Sequence, residues 1–421
     1  MRARLFAPLA LLLLLAMLPS AQAPPKHAVT PEDLLGMTRL RSVAVSPDGN
    51  QVLYEASRRE YPLADRPVGH VYLVPSAGGP PRQMTASEAG ESSPAWSPDG
   101  RRIAFVSRRN GPAQVFVMPV DGGEGIQVGK LKVAPTSAPE WSPGGESLAF
   151  LAVPEPSASE QAEEKESGGV EIVEQPKDLA QLFTLSYPEG KASQVTPGEY
   201  NVSSFAWAPD GRSFALVTAK SQLLYDNMTA SAVRAVDLSG KTLAVLSPKD
   251  GPVQGPPRFS PDGKSVAWRF PTRGLSLMNG AAVASADGKS FRNAAEKLDL
   301  HFSQLEWAPD GGSLVALAQE GTRSVLRRLD LSTGRGVPFY APAGVVSGFQ
   351  LDRKGERLAF DFSDPSSPAA PWAARADGTG ALRLADLNPQ TGGWLLPSLL
   401  PGDHQAGGRF DPGAHEPGHD G

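Results

Sequence analysis

The sequence predicts an all-β fold, a seven-bladed β-propeller of four-stranded antiparallel blades, and three observations lead to it. A motif close to Trp-Ser-Pro-Asp-Gly occurs seven times along the 421-residue chain. An apolar segment with the length of a strand follows each copy. Gly and Pro, at 44 and 41 residues, occur at the density expected of a folded protein with many tight turns.

The motif is a turn whose residue types explain its shape. Pro presets φ at the second turn position, Asp tolerates the third, and Gly closes the turn in the left-handed conformation. Successive closing glycines lie 51, 45, 66, 52, 48 and 44 residues apart, close to the ~40–50 residues of a propeller blade. The closing glycines are Gly49, Gly100, Gly145, Gly211, Gly263, Gly311 and, in a decayed copy, Gly355.

Each repeat contains four predicted strands. In the second repeat they are 95–97, 102–107, 114–120 and 126–133, and in the seventh they are 345–351, 358–362, 371–376 and 381–387. Because the last repeat has four strands of its own, the ring is expected to close without borrowing a strand, and the propeller is predicted over 38–388. Four recurring tryptophans are interpreted as packing between blades: Trp96, Trp141, Trp207 and Trp307.

Residues 1–23 have the three parts of a secretory signal peptide. Arg2 and Arg4 are followed by an apolar run over 5–18 and an Ala-Gln-Ala cleavage site at 21–23. The run is too short for a stable membrane anchor, which takes about 20 residues. The sequence therefore predicts an exported protein, periplasmic or secreted.

Three further segments lie outside the repeats. In the N-terminal segment 24–37, Thr30 and Pro31 are typical of the start of a short helix. Residues 154–169, rich in Ser, Glu and Gln, are interpreted as a solvated insertion in blade three. Residues 389–421 change to Gly, Pro, Asp and His and are predicted to be a disordered tail.

Composition excludes several kinds of site. There is no cysteine, which removes disulfides, thiolate metal sites and a thiol nucleophile. Lys and Arg total 40 against 45 Asp and Glu, a net charge of −5 without a basic block, so nucleic acid is not an expected partner. No phosphate-binding glycine loop is found, and no cofactor is predicted.

Two stretches carry a resemblance to a known family. The segment Thr30-Pro31-Glu32-Asp33-Leu34-Leu35, with the first turn after it, and the segment 384–390 resemble the two ends of the propeller in exported prolyl oligopeptidase-family serine peptidases of the acylaminoacyl-peptidase type. The resemblance covers residues 30–397. TolB-type periplasmic propellers share the turn motif and are a weaker likeness. The resemblance implies an α/β-hydrolase domain after the propeller, whereas only about 30 residues follow residue 388.

No catalytic residue of that family can be assigned. A hydrolase nucleophile needs the strained G-x-S-x-G elbow, and every Gly-x-Ser candidate here lacks the second Gly. All of the candidates directly follow a propeller turn, where a serine simply begins a strand: Ser147, Ser213, Ser265 and Ser313. The chain as given is therefore predicted to be non-enzymatic. Two explanations of the missing hydrolase domain stay open, a truncation or frameshift of the gene and a genuine stand-alone propeller.

One segment matches the sequence pattern of a zinc-binding motif but not the helical structure that the motif requires. The segment 415–419 reads H-E-x-x-H, which binds zinc when both His share a helical face. Pro417 and Gly418 break such a helix, so no metal site is predicted. The acidic pair Glu163-Glu164, in a low-complexity setting, is interpreted as part of a solvated loop.

Three functions remain open. The leading hypothesis is a substrate-gating propeller of a prolyl oligopeptidase-type peptidase, with oligopeptides in the central channel or a separate hydrolase domain as partners. The alternative is a non-enzymatic TolB-like propeller that binds a periplasmic protein. A propeller lactonase would need metal-binding carboxylates, and the regularly spaced acids are instead explained as turn residues: Asp48, Asp99, Asp210, Asp262 and Asp310.

Overall fold

The structure is a computed structural model that describes residues 26–59, 66–156, 178–248, 252–272 and 278–395. Within these residues, seven antiparallel sheets of four strands each form the blades of a β-propeller, as predicted. Blade one consists of β2 (Arg39–Val45), β3 (Gln51–Arg58), β4 (Val68–Pro75) and β5 (Arg82–Gln83), blade two of β6 (Glu91–Trp96), β7 (Arg102–Ser107), β8 (Gln114–Pro119) and β9 (Ile126–Gln127), and blade three of β10 (Glu140–Trp141), β11 (Ser147–Ala152), β12 (Gln181–Ser186) and β13 (Ala192–Gln194). Blade four consists of β14 (Asn201–Trp207), β15 (Ser213–Ala219), β16 (Ala232–Asp237) and β17 (Thr242–Val245), and blade five of β18 (Gln254–Phe259), β19 (Ser265–Pro271), β20 (Asn279–Ser285) and β21 (Phe291–Asn293). Blade six consists of β22 (His301–Trp307), β23 (Ser313–Glu320), β24 (Arg323–Asp330) and β25 (Gly336–Tyr340), and blade seven of β26 (Phe349–Leu351), β27 (Arg357–Asp364), β28 (Ser367–Arg375) and β29 (Leu382–Arg383).

Short elements flank the blades. A two-stranded sheet pairs β1 (His27–Ala28) with β30 (Trp394–Leu395). The helices are α1 (Pro31–Leu35), α2 (Leu224–Thr229) and a 3-10 helix (Pro389–Gly393). Helix α1 begins where the sequence indicates: Thr30 Oγ1 accepts from the N–H of Asp33, whose carboxylate accepts from the N–H of Thr30. This capping box satisfies amide groups that a helix start leaves unpaired.

Burial is greatest in the middle strands of each blade and lowest in the fourth strand at the rim. Strand β7 is buried along nearly its whole length, whereas the fourth strand of the same blade, β9, is partly exposed. The second strands alternate large side chains with Ala because neighbouring blades cover both faces. One core cluster shows this packing, since Val117 of blade two lies with Trp141, Leu148 and Phe150 of blade three.

Three of the recurring tryptophans join adjacent blades by hydrogen bonds, which confirms their interpretation as inter-blade residues. The indole N–H of Trp96 donates to the carbonyl of Ala44 at 3.1 Å. Trp207 donates in the same way to Glu140, and Trp307 to Arg258. Each bond crosses from the first strand of one blade to the first strand of the preceding blade.

The seventh blade packs directly on the first, and the chain segments on either side add a clasp. Asn388 is buried and both donates to and accepts from the backbone of Thr38, each at 2.8 Å. The N–H of Val45 donates to Gln350 Oε1. Strand β1 pairs in parallel with β30, so that His27 lies opposite Trp394.

The prediction of a tail that is disordered from residue 389 is wrong for its first seven residues. Residues 389–395 form the 3-10 helix and β30, and Trp394 is 4% exposed. The Gly and Pro content of this stretch indicated disorder, but a single large apolar side chain and a strand partner order it. The rest of the predicted tail, 396–421, lies outside the described residues.

Other sequence predictions also fall outside the described part of the chain. These are the signal peptide 1–23 and all but the first three residues of the insertion 154–169. Among the residues that the structure describes, no helix is long and apolar enough to cross a membrane.

Candidate functional site: a basic cleft and a charged ring interior

The two faces of the ring carry different connections. The turn face, as we name it, carries the turns between the first and second strands of each blade. The opposite side, the loop face, carries the connections between second and third strands, which range from two residues (321–322) to 28 residues (153–180). The first strands begin on the loop face, and the segments before β2 and after β29 both leave the ring there.

The turn face is built from turns that contact one another around the ring. A Cβ atom added to Gly100 would lie 3.6 Å from Cδ of Pro47 in the preceding turn, and one on Gly145 would lie 3.7 Å from Cδ of Pro98. The same contact recurs in the next four turns, between Gly211 and Pro143, Gly263 and Pro209, Gly311 and Pro261, and Gly355 and Pro309. The repeated turn shape thus lets neighbouring blades meet at a similar distance, 3.5–3.8 Å, except at Gly355, where the distance is 2.7 Å.

The turn acids have structural partners. In the second blade Ser97 Oγ donates to Asp99 Oδ1 at 2.5 Å, and the same oxygen accepts from the N–H of Arg101. These bonds hold the pKa of Asp99 below its usual range, the serine hydroxyl contributing most. The regularly spaced acids therefore stabilise turns, which agrees with the prediction made for them.

Three charged side chains from different blades interact electrostatically inside the ring near the turn face. Arg258 of blade five donates from Nε to Glu306 Oε1 of blade six at 3.3 Å, and Gln304 Nε2 donates to the same oxygen. The charge of Arg258 also acts on Glu140 of blade three. Blades three and five are not neighbours, so this interaction crosses the interior of the ring. The three occupy one repeat position, directly before the aromatic residue of the turn motif.

The surroundings of Glu140 raise its affinity for protons. The pKa of Glu140 is raised to about 7, mainly by burial; the charge of Arg258 lowers it and the negative charge of Glu306 raises it. The pKa of Arg258 is itself raised, mainly by the attraction of Glu306. This group thus combines the ion pair of Arg258 and Glu306 with a carboxyl whose pKa is raised to about 7.

A polar cleft of about 340 Å³ opens on the loop face between blades one, two and three. Its walls include the beginnings of the first strands, so it lies beside the ring axis. Three arginines line it, Arg41, Arg66 and Arg108, and all three are exposed. The other lining residues are Glu55, Ser57, Pro67, Gly69, Ala89, Gly90, Glu91, Ser92, Ser93, Val106, Ser107, Ala113, Pro135, Thr136, Ser137 and Ala138.

The two acids of this basic cleft are buried and already paired. Glu91 is 2% exposed, and its oxygens contact His70 Nδ1 at 3.1 Å and Arg109 Nη2 at 2.6 Å. Glu55 Oε2 accepts from the N–H of Ser93 at 2.8 Å. Burial raises the pKa of Glu55, while that hydrogen bond and the charge of Arg41 lower it.

Sequence reasoning assigned no site residues and missed both groups. The signal that could have found them is an alignment of the repeats: Glu55 stands six residues after a turn glycine, where Val106 and Leu151 stand in the next two repeats. The serines rejected as nucleophiles begin second strands, as predicted; Ser147, for example, is the first residue of β11. Both the acidic pair 163–164 and the H-E-x-x-H segment 415–419 lie outside the described residues. Within the described ranges, no three His, Asp or Glu side chains are grouped to hold a metal.

Comparison with known proteins agrees with this architecture. The family model of the TolB β-propeller domain matches residues 37–177. Dipeptidyl-peptidase 5 of Porphyromonas gingivalis is 26% identical over 422 residues, covering 89% of this chain and 59% of that peptidase. The chain is similar to the propeller part of these serine peptidases. It spans less than two thirds of the length of that curated relative.

Solved structures show the same fold at low identity. A puromycin-hydrolysing peptidase of Mycobacterium tuberculosis superposes with a TM-score of 0.64 at 14% identity, over 86% of this chain and 56% of that one. The propeller domain of the Trilobed protease of Pyrococcus furiosus gives 0.59 at 13% identity, over 84% of this chain and 99% of that domain. The second match is to a propeller alone, and the described ring has the fold of that domain.

Proposed function

We propose that this chain is a substrate-gating propeller of a prolyl oligopeptidase-type serine peptidase, that its ligands are oligopeptides, and that it has no hydrolase activity by itself. The observation that carries the proposal is the match to dipeptidyl-peptidase 5, which covers 89% of this chain within 59% of the peptidase. The catalytic groups of such a peptidase belong to the part that this chain does not match.

The arrangement of the ring supports a gating role. Both segments that flank the propeller leave on the loop face, so a domain joined to either would lie over that face and over the ring axis. The axis has charged groups at its turn-face end, and the basic cleft lies beside its loop-face end. A peptide passing along this axis would meet polar contacts at both ends.

The first test is labelling and hydrolysis. The purified chain is incubated with a fluorophosphonate probe, which reacts with activated serines, and with acyl-peptide, prolyl-peptide and ester substrates. We expect neither labelling nor turnover, with a known serine peptidase as the positive control. Stoichiometric labelling of the chain would overturn the non-catalytic part of the proposal.

The second test is peptide binding measured by calorimetry. Tetrapeptides are expected to bind, whereas a folded protein of ordinary size is excluded because it cannot enter the ring. The match to the TolB propeller model favours a second candidate, a propeller that binds a protein partner. Tight binding of a folded periplasmic protein, together with no binding of peptides, would establish that candidate instead.

A further inference from the structure

The walls of the basic cleft carry more positive charge than their own acids neutralise. Three guanidinium groups line the cleft, in a protein whose overall charge is −5. Glu91 is held by His70 and Arg109, neither of which lines the cleft. Glu55 is the remaining carboxyl, and one of its oxygens is bound to a backbone amide. A negatively charged group is therefore favoured in the space that remains.

The three arginines differ in the hydrogen bonds that their side chains already form with the rest of the protein. Arg41 donates from Nε to Ser57 Oγ at 2.7 Å and keeps its two terminal nitrogens. Among the described residues, the side chains of Arg66 and Arg108 have neither a hydrogen bond nor an ion pair. Their donors are consequently available to a ligand without breaking a contact within the protein.

Three other polar side chains of the cleft form hydrogen bonds within its walls. Thr136 Oγ1 donates to the carbonyl of Leu151, and Ser137 Oγ accepts from the N–H of the same residue. Ser107 Oγ donates to the carbonyl of Gly90. These bonds fix the connections that face the arginines, so the cleft is formed before a ligand arrives.

Guanidinium groups bind anions that present two oxygens side by side. Their paired N–H donors match the two oxygens of a carboxylate, and such charge-assisted bonds are about twice as strong as neutral ones. A volume of about 340 Å³ is at the small end of ligand pockets. It suits the end or one side chain of a peptide, and the rest of the peptide can extend toward the ring axis beside it.

We propose that this basic cleft, formed by Arg41, Arg66 and Arg108, binds a carboxylate of an oligopeptide ligand. The carboxylate belongs either to the C-terminus or to an acidic side chain. The inference rests on the proposed oligopeptide function and deepens it, because it makes the gate selective for acidic peptides or for free C-termini at a distance from the ring axis.

Calorimetry with unlabelled peptides tests the inference on the full chain. The probes are tetra-alanine with a free C-terminus, its C-terminal amide, and the same amide with one alanine replaced by aspartate. We expect the free acid to bind at least about tenfold more tightly than the plain amide. The aspartate amide identifies the source, since tight binding of that probe assigns the site to acidic side chains.

Matched variants test whether the arginines of the cleft cause the preference for the free acid. The double variant Arg66→Gln/Arg108→Gln should reduce the affinity for the acid to that for the amide, with an unchanged melting temperature because neither side chain has a partner. Arg212→Gln makes the same change at an exposed turn-face residue and should leave all affinities unchanged. Retention of the acid preference in the double variant would overturn the inference.

Failure of the cleft and failure of the proposed function give different results. Equal binding of the free acid, the plain amide and the aspartate amide would remove the carboxylate site and leave the oligopeptide function standing. Arginine-dependent binding of glutarate, without binding of any tetrapeptide, would retain the carboxylate site and remove the oligopeptide function. Binding of none of these probes would overturn both.

Discussion

Three charged side chains occupy a repeat position that is otherwise apolar, six residues after the turn glycine. Glu55 accepts from the N–H of Ser93, and Asp361 accepts from the N–H groups of Ser347 and Gly348 at 2.6 and 2.8 Å. Arg269 donates to the carbonyl of Phe302. The equivalent residues in the other repeats are Val106, Leu151, Val217 and Leu317.

Each of these charges is thus satisfied by backbone groups of a first strand or of the segment before it. Burial raises the pKa of Glu55 and of Asp361 and lowers the pKa of Arg269, as desolvation of a charged group requires. Buried charges persist when they are hydrogen-bonded. We infer that these three position the loop-face ends of the first strands, including the strand end that borders the basic cleft.

Glu140 gives a prediction about pH. Its pKa is raised from 4.5 to about 7, so between these values the folded protein binds more protons than the unfolded chain. Stability from this group is therefore lost as pH rises through that window. Glu140→Gln removes the titration, and we expect it to raise the melting temperature at about pH 8 but to have little effect near pH 4.5.

The control for that measurement is Glu124→Gln, the same change at an exposed residue. Thermal unfolding of wild type and both variants is followed at the two pH values. A change in melting temperature for Glu140→Gln that is equal at both would show that its carboxyl does not carry the proton affinity assigned to it.

The turn between the first and second strands has nearly the same sequence in every blade. It imposes two structural requirements, which can be tested separately. The first is a left-handed glycine: φ is 68° at Gly100 and 69° at Gly355. The second is space beside the proline of the preceding turn. A Cβ at Gly100 would lie at an ordinary 3.6 Å from Pro47, but one at Gly355 would lie only 2.7 Å from Pro309.

These distances predict different costs for the same substitution. Gly100→Ala should lower the free energy of unfolding by about 1–2 kcal/mol, the cost of a left-handed conformation for a residue with a Cβ. Gly355→Ala should cost about 1 kcal/mol more, because the proline must also be displaced. Urea denaturation of both variants provides the comparison, and equal losses would contradict the Pro309 contact.

Whether a contact in the fold or the site could be predicted from the sequence depends on how far apart the two residues are along the chain. The turns and their glycines were predictable because their hydrogen bonds join residues two to five apart, as between Ser97 and Asp99. The hairpin pairing of the second and third strands followed from the same local order. The electrostatic interaction of Glu140 with the Arg258–Glu306 pair was not predictable, since it involves three blades across the ring.

The whole ring is closed by the first and seventh blades together with the segments that flank them. Residues of both blades share one core cluster, which includes Val45 and Tyr54 of blade one and Ala359 and Ala373 of blade seven. Asn388 adds two hydrogen bonds to the backbone of Thr38, 350 residues away. Closure therefore combines apolar packing with a specific polar clasp.

The clasp can be tested by one substitution. Asn388→Ala leaves the half-buried backbone groups of Thr38 without their partners, and we expect it to lower the free energy of unfolding by about 2 kcal/mol. Asn50→Ala, at an exposed turn residue, should change stability by less than about 0.5 kcal/mol. Similar urea unfolding curves for the two variants would show that the ring closes without the clasp.

The amino-acid sequence by itself determined the blade, the number of blades and their order, because a propeller blade is made of neighbouring strands joined by short turns. The tertiary structure alone decided which side chains from separate blades meet. Arg41, Arg66 and Arg108 come from two blades and form one cleft, and Trp394 is ordered by pairing with a strand more than 350 residues earlier. Such groups depend on the closure and curvature of the ring, which bring distant residues together without any local signal.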